Sequence, residues 1–543
     1  MTDFSRYGLT PFGPVPNRRQ MEWYRRGRTA FLHFTVNTFT DREWGDGKEP
    51  TSLFAPTGLD CRQWARVLKE AGFTAAILTA KHHDGFCLWH TDTTGHHVGN
   101  SPCRVDVVKA FTDACREFGL KAGLYLSPWD QNHPSWGTDA YNDIYAAQLT
   151  ELLTRYGPLF ECWWDGAGST EAHYDWARWA ELVRKYQPQC VIFGCLGAAE
   201  FVDVRWVGTE VGRAGENCWA TIDPETIRVE NCADLNSGKW GGTHFIPAET
   251  NTSIRPGWFW HERQNDQVRS PDNLVQYWFE SAGRNTAILL NLPPDRRGLI
   301  HEADAKSVLE WNRLLKRMFR HDLAPLARIT ADEPLHPDCG AENLLDGSDD
   351  RIYAAPTLTP TVELTFPEEV TFDCWWLEEV IELGHRIRRF RVEVLVDGVW
   401  QTAAESECVG FRRCQRMAPV TARGFRLRIL ESGAPPVLRR ISLYDTQGHG
   451  GAGAHTAASG ALALTVIREL DGLVADLGGI YPFNRVDFAA EGPVTVEVFN
   501  GTRYETIWAG TQSPARFPTV TGSYRLRLRG RVDEGSLRVS CRK

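Results

Sequence analysis

CRQWARVLKEAGFTAAILTAKHHDG, Cys61 to Gly85, holds one complete structural unit. Its first half, CRQWARVLKEAG, has helical spacing of apolar residues and ends on a glycine suited to a left-handed cap. Its second half, FTAAILTAKHH, is a short apolar run that predicts a buried strand ending on Lys81, His82, His83, Asp84 and Gly85. An ordinary strand end needs one turn former, such as the Asp84-Gly85 pair, and no histidines. Imidazoles there bind metal, carry protons or hydrogen-bond a ligand's hydroxyls.

The unit recurs. FLHFTVN, LKAGLYLSPW, LFECWWDG, CVIFGCL, VRWVGTE, THFIPAE and TAILLNL complete a set of eight strand candidates between Phe31 and about Arg320. Helix-like segments such as RVDVVKAFTDACREFG, YNDIYAAQLTELLTRYG and WARWAELVRKY lie between several of them, and glycine closes three of the four helices. Strands alternating with helices over that length predict an α/β fold, a (β/α)8 TIM-like barrel distorted at its sixth and seventh units. Residues 340–446 alternate with period two, as in RRFRVEVLVDGVW, and predict a β-sandwich. TQGHGGAGAHTAASG, Thr446 to Gly460, has the composition of a flexible linker. Ala461 to Lys543 is again β-like, with a hairpin expected to turn at Asn500-Gly501. The expected division is a barrel over 1–328, a sandwich over 329–446, a linker over 447–460 and a small β-domain over 461–543.

Composition narrows the function classes. The chain has 543 residues, 42% hydrophobic and 24% charged, with a formal charge of -9. That balance suits a globular protein and weighs against nucleic-acid or anionic-membrane partners. No run reaches membrane length and MTDFSRYGLTPFGPVPNRRQ has no apolar signal core, so a cytoplasmic location is expected. The 14 cysteines include no Cys-x-x-Cys pair and mostly sit in apolar runs, which predicts buried thiols rather than zinc sites or a disulfide framework. Of 21 tryptophans, 17 precede residue 325. Some belong to the core, and those in loops are candidate stacking platforms for ligands such as sugars.

In a (β/α)8 barrel the functional groups come from the carboxyl ends of the strands. Those positions hold His33 and Asn37, His82, His83 and Asp84, Tyr125 and Trp129, Trp163 and Asp165, Glu210, and Glu249 at the end of THFIPAE. Neighbours on a strand face opposite sides, so His82 and His83 are not expected to share an ion; neither metal nor cofactor is expected. Two carboxylates facing each other over a sugar suffice for glycoside cleavage, and ECWWDGAG places Asp165 between an indole pair and a glycine turn.

Six motifs in order, HFTVNTFTDREWGDGKEP, LTAKHHDGFCLWHT, YLSPWDQNHP, ECWWDGAG, RWVGTEVG and SIRPGWFWHERQ, resemble the α-L-fucosidases of glycoside hydrolase family 29. The closer likeness is to the branch that prefers α-1,3 and α-1,4 linkages. The resemblance covers residues 10 to 320 and implies a retaining enzyme acting on fucosylated oligosaccharides. It implies Asp165 as nucleophile and Glu210 as general acid/base, with Thr209 where that branch usually has asparagine; Glu249 is the second candidate for the acid/base. It further implies that His33, Glu43, Trp44, His82, His83, Tyr125, Trp163 and Arg255 hold the fucose, with Trp129, Glu249 and Trp258 beside them. A fucose-binding protein with an inactive barrel, or a metal-dependent barrel hydrolase, are the rival readings. ENLLDGSDDRIYAAP and the run from Val362 to Trp400 look like a discoidin-type module, in which Trp375 and Trp376 are candidates for a sugar platform, at least one of them belonging to the core.

Overall fold

The computed structural model describes residues 4–169, 171–194, 197–228, 231–447, 465–469, 472–476, 483–499, 504–520 and 525–540. Eight parallel strands close into a barrel: β1 (Arg28–Leu32), β2 (Ala75–Lys81), β3 (Lys121–Leu126), β4 (Glu161–Trp163), β5 (Val191–Gly194), β6 (Val204–Trp206), β7 (Ala248–Ser253) and β8 (Ala287–Asn291). β8 pairs with β1 to complete the ring. The expected α/β barrel is therefore present, and its side chains follow period two. Phe31, Ile77, Tyr125, Trp163, Phe193 and Leu289 fill the barrel interior. Ala30, Leu32, Ala76, Leu78, Leu124, Cys162, Ile288 and Leu290 face the surrounding helices.

The helices form where the sequence caps them. Asp60, Asp106 and Asp175 accept hydrogen bonds from the first-turn backbone N–H groups of Cys61–Glu70, Val107–Phe118 and Trp176–Tyr186. Gly119 and Gly157 take φ of 67° and 79°, in the left-handed region, at the ends of two of the helices.

The distortion expected at units six and seven has a definite form. THFIPAE is not strand seven. His244–Phe245 instead pairs antiparallel with Thr221–Ile222 in a two-stranded ribbon. β7 starts only at Ala248, in the polar run AETNTS, which is buried throughout. Glu249 thus lies at the start of β7, opposite Ala287 at the start of β8, and not at the strand's carboxyl end.

A second, antiparallel sheet of seven strands follows, joined by Arg328–Ala331 and built on two long strands, Thr361–Glu379 and Arg413–Ser432. Register breaks between Thr365 and Val370 interrupt the ladder of these two strands, and residues on both sides of the break, Leu364, Phe372, Phe425 and Trp375 among them, share one core. This unit docks on the amino ends of the barrel strands. Phe411 donates its backbone N–H to Asn285 Oδ1 at 2.8 Å, Cys414 to Gly283 O at 2.9 Å, and Phe411 stacks on Tyr24. Trp375 is fully buried in the sheet's core, and Trp376 is covered by Trp278, Phe319 and the Arg412 guanidinium. Neither indole is exposed as a platform.

The remaining described residues form a five-stranded and a three-stranded sheet that share a core containing Leu473, Val496, Leu528, Phe483 and Val539. Ala490–Phe499 and Tyr504–Gly510 pair antiparallel. The turn expected at Asn500-Gly501, and residues 448–460 of the expected linker, lie outside the described residues. Among the described residues no helix is long and apolar enough to cross a membrane.

Candidate active site

The interior phase of each strand carries on into the loop that follows it. On β1, Phe31 faces inward and so does His33; on β4, Trp163 faces inward and so does Asp165. Tyr125 ends the same face of β3, and its hydroxyl donates to Asp165 Oδ2 at 3.0 Å. The backbone N–H of Ala167 donates to Asp165 Oδ1 at 2.9 Å. Trp163 stacks flat on Phe193, ring centroids 4.3 Å apart, and forms the floor.

β2 shows how two adjacent histidines reach one pocket. A register shift between Thr79 and Lys81 marks a bulge, and the strand ends at Lys81. Strict alternation no longer holds beyond it, so His82 and His83 do not face opposite sides as expected. Their rings lie 4.0 Å apart, both on the mouth. Lys81 turns outward to Asp130, Tyr141 and Gln148.

Hydrogen bonds behind the rings fix what they present. Asn291 donates through Nδ2 to Trp258 O and Ser253 Oγ, so its Oδ1, 2.9 Å from His33 Nδ1, accepts from that nitrogen. Ser127 donates to Trp129 O and so accepts from His83 Nδ1 at 2.8 Å. His33 and His83 each keep Nε2 as an acceptor, and the buried His82 Nδ1 has no hydrogen-bond partner among the described residues. Burial holds all three rings neutral: it pushes His33 down to about 3, lowers His82 with help from the neighbouring rings, and lowers His83 despite the opposing charge of Asp165.

Glu210 comes from the loop after β6, between the buried Val207 and Val211. Trp258 Nε1 donates to its Oε2 at 3.2 Å. Burial raises its pKa to about 8, with the charges of Asp165 and Glu43 acting in the same direction and the Trp258 bond against them. Trp44 stands on the rim, 61% exposed, edge-on to Trp129, which packs against His83. Phe259 lies edge-on to both His33 and His82. Glu43 joins the rim through the Trp258 backbone N–H, 2.7 Å from its Oε2.

His33, Glu43, Trp44, His82, His83, Tyr125, Trp129, Trp163, Asp165, Glu210 and Trp258 are therefore brought together. Four others are not. Glu249 is fully buried beneath the floor, where its Oε1 accepts from Trp163 Nε1 at 3.0 Å. Arg255 turns away: its side chain has no exposed surface, and its guanidinium lies 2.9 Å from Asp304 and donates to Asn265. Its buried carboxylate partner outcompetes the mouth. Asn37 and Asp84 are buried behind the first two loops, Asp84 accepting from the Thr35 hydroxyl and the Phe86 N–H at 2.7 Å each. Among the described residues no group of three or more His, Cys, Asp or Glu side chains is placed to hold a metal ion. Sequence reasoning missed Ser127, Asn291 and Phe259. Strand phase was the available signal for Asn291, which shares the inward face of β8 with Leu289.

The sequence model of the α-L-fucosidase family matches residues 10–318. The chain belongs to that family, and is thereby a glycoside hydrolase. A putative α-L-fucosidase 1 of rice, Oryza sativa subsp. japonica, is 37% identical over 448 residues, 80% of this chain and 86% of the relative. The crystal structure of a putative α-L-fucosidase from Bacteroides thetaiotaomicron is 43% identical, with a TM-score of 0.79 over 80% of this chain and 99% of the other. A Ruminococcus gnavus fucosidase of glycoside hydrolase family 29, solved in complex with fucose, is 28% identical with a TM-score of 0.74, over 82% and 97% of the two chains.

Neutral imidazoles with free acceptors suit the hydroxyls of a sugar. His82→Ala and His83→Ala should each weaken binding of free fucose by roughly 1–3 kcal/mol, the cost of one buried hydrogen bond. Titration calorimetry on the folded variants measures it; unchanged affinity in both would remove these rings from the sugar site.

Proposed function

We propose that this chain is a retaining exo-α-L-fucosidase acting on α-1,3- and α-1,4-linked terminal fucose of branched oligosaccharides, with residues 1–328 as its catalytic unit. The observation that carries the mechanism is the contrast between two carboxyl groups at one mouth. Asp165 is held by two donors, whereas Glu210 has apolar neighbours, one indole donor and a pKa of about 8. Glu210 is thus available as a carboxylic acid at neutral pH beside Asp165.

In the first step an Asp165 oxygen attacks the anomeric carbon as the glycosidic C–O bond breaks, and Glu210 gives its proton to the departing oxygen. Forming the fucosyl ester removes the charge of Asp165, one of the causes that raise Glu210. Glu210, now a carboxylate, takes a proton from water, whose oxygen attacks the anomeric carbon and releases Asp165. Two inversions leave the α configuration. His33, His82 and His83 supply hydroxyl partners, while Trp163, Phe259 and Trp258 supply apolar surface for the C5 methyl and the ring. Trp44 and Trp129 stand where the rest of the glycan leaves the pocket.

Asp165→Ala should be nearly inactive on every substrate. Glu210→Ala should still form the fucosyl-enzyme from an activated aryl fucoside and then stall for want of a base. Azide needs no base, so it should restore turnover and yield fucosyl azide of α configuration, read by NMR. Rescue in Glu249→Ala but not in Glu210→Ala would move the acid/base role to Glu249.

The pH dependence has a definite sign. The acid must be protonated, so kcat/KM for substrates with poor leaving groups should fall as pH rises through about 8. Glu210→Ala should lose that alkaline limb.

The linkage preference rests on the likeness of RWVGTEVG and its companion motifs to the α-1,3/4 branch. Lewis-type trisaccharides should be cleaved with higher kcat/KM than an aryl α-fucoside or an α-1,2-linked fucose. A preference for the aryl substrate would place the chain among broad-specificity α-L-fucosidases.

A further inference from the structure

The loop after β7 crosses the mouth with Trp258 and Phe259, and one imidazole ties it to the loop after β1. His261 is 1% exposed. Its Nδ1 lies 2.6 Å from Asp41 Oδ1 and its Nε2 lies 2.6 Å from Glu43 Oε1. Both acceptors are carboxylate oxygens, so both ring nitrogens donate and the ring is an imidazolium. Glu43 passes the restraint on: its Oε2 accepts from Trp258 N at 2.7 Å and its Oε1 from Phe259 N at 3.4 Å. Gly257 makes room for this, because a Cβ there would collide with Glu43 Oε1. The path ends at Trp258 Nε1, which donates to Glu210 Oε2 at 3.2 Å.

We propose that His261 is a positioning residue for proton transfer: by bridging Asp41 and Glu43 it fixes the Trp258 backbone, and through the indole it aims the Glu210 carboxyl at the leaving oxygen. This rests on the reading of Glu210 as acid/base. Burial opposes the charge on His261, but the hydrogen bonds to Glu43 and Asp41 and the charge of Glu43 outweigh it and raise its pKa, with Arg263 acting the other way. Without the imidazolium, Glu43 loses its cation, and its carboxyl is left to the backbone N–H groups of Trp258 and Phe259. Asp165 is held separately, by Tyr125 and Ala167, so nucleophilic attack is untouched.

That separation makes the role measurable. A good leaving group departs without protonation, whereas a poor one depends on the acid. Across aryl α-L-fucosides running from dinitrophenyl to phenyl, His261→Phe should lose about ten-fold or more in kcat/KM on the phenyl substrate and no more than about three-fold on the dinitrophenyl one. His261→Gln, whose amide nitrogen takes the place of Nε2, keeps the Glu43 link and should recover more of the phenyl activity than His261→Asn, whose amide takes the place of Nδ1. If His261→Phe fails to fold, the Gln and Asn pair decides the matter. Equal losses on both substrates, or Gln and Asn variants that behave alike, would overturn the proposal. Glu210→Ala measured on the same series separates the two claims. A steep leaving-group dependence there, with none in the His261 variants, defeats the positioning role alone; its absence in Glu210→Ala defeats the acid/base reading and this inference with it.

Discussion

Two carboxyl groups at one pocket raise the cost of each other's ionisation. The mouth of this barrel is organised by that constraint. Asp165 receives two donors, a tyrosine hydroxyl and a backbone N–H, while Glu210 receives an indole N–H and is raised chiefly by burial. The asymmetry needs a frame that delivers side chains from β3, β4, β6 and β7 to one mouth. A closed parallel barrel does so because strand phase, set by the packed interior, decides which residues after each strand face inward.

Strand phase also explains what could be read in advance. FLHFTVN, FTAAILTAKHH and LKAGLYLSPW each alternate residues of the inner and outer cores, so His33 and Tyr125 were legible as inward-facing residues near strand ends. Reading failed where the phase was broken or hidden. The bulge before Lys81 turned His82 and His83 to the same side. β7 is AETNTS, a buried strand without apolar pattern, so the preceding THFIPAE took its place and Glu249 was assigned to the rim when it lies under the Trp163 indole. Arg255 was implied by likeness of motif alone, and no local pattern announces a carboxylate as distant in sequence as Asp304. His261 could not be found at all from spacing, since its partners come from the opposite end of the barrel sequence.

The antiparallel unit that begins near Arg328 has a simpler relation to the site. Its contacts with the barrel include Glu216, Cys218 and Ala220 after β6, and residues preceding strands, Tyr24, Gly283 and Asn285, at the amino ends. That end of a (β/α)8 barrel governs stability, and the carboxyl end governs chemistry. The Trp376 indole is spent on the interface, against Trp278 and Phe319. Trp376 therefore acts on the barrel as packing, while Trp375 and Phe372 fill the sheet's own core.

The placing of positive charge completes the account. Burial is the main cause that raises Glu210, and a free ammonium or guanidinium beside Asp165 would offset the second cause, the Asp165 charge. The cations that flank the mouth are each consumed elsewhere: Lys81 by Asp130, Arg255 by Asp304, and His261 by Asp41 and Glu43. What faces the pocket instead is a set of neutral imidazoles, able to hydrogen-bond hydroxyls without supplying charge. On the proposed function, His82 and His83 close a strand because a hydroxyl-rich ligand would need donors and acceptors there, and because lysine or arginine in their place would offset the Asp165 charge that helps burial to raise Glu210.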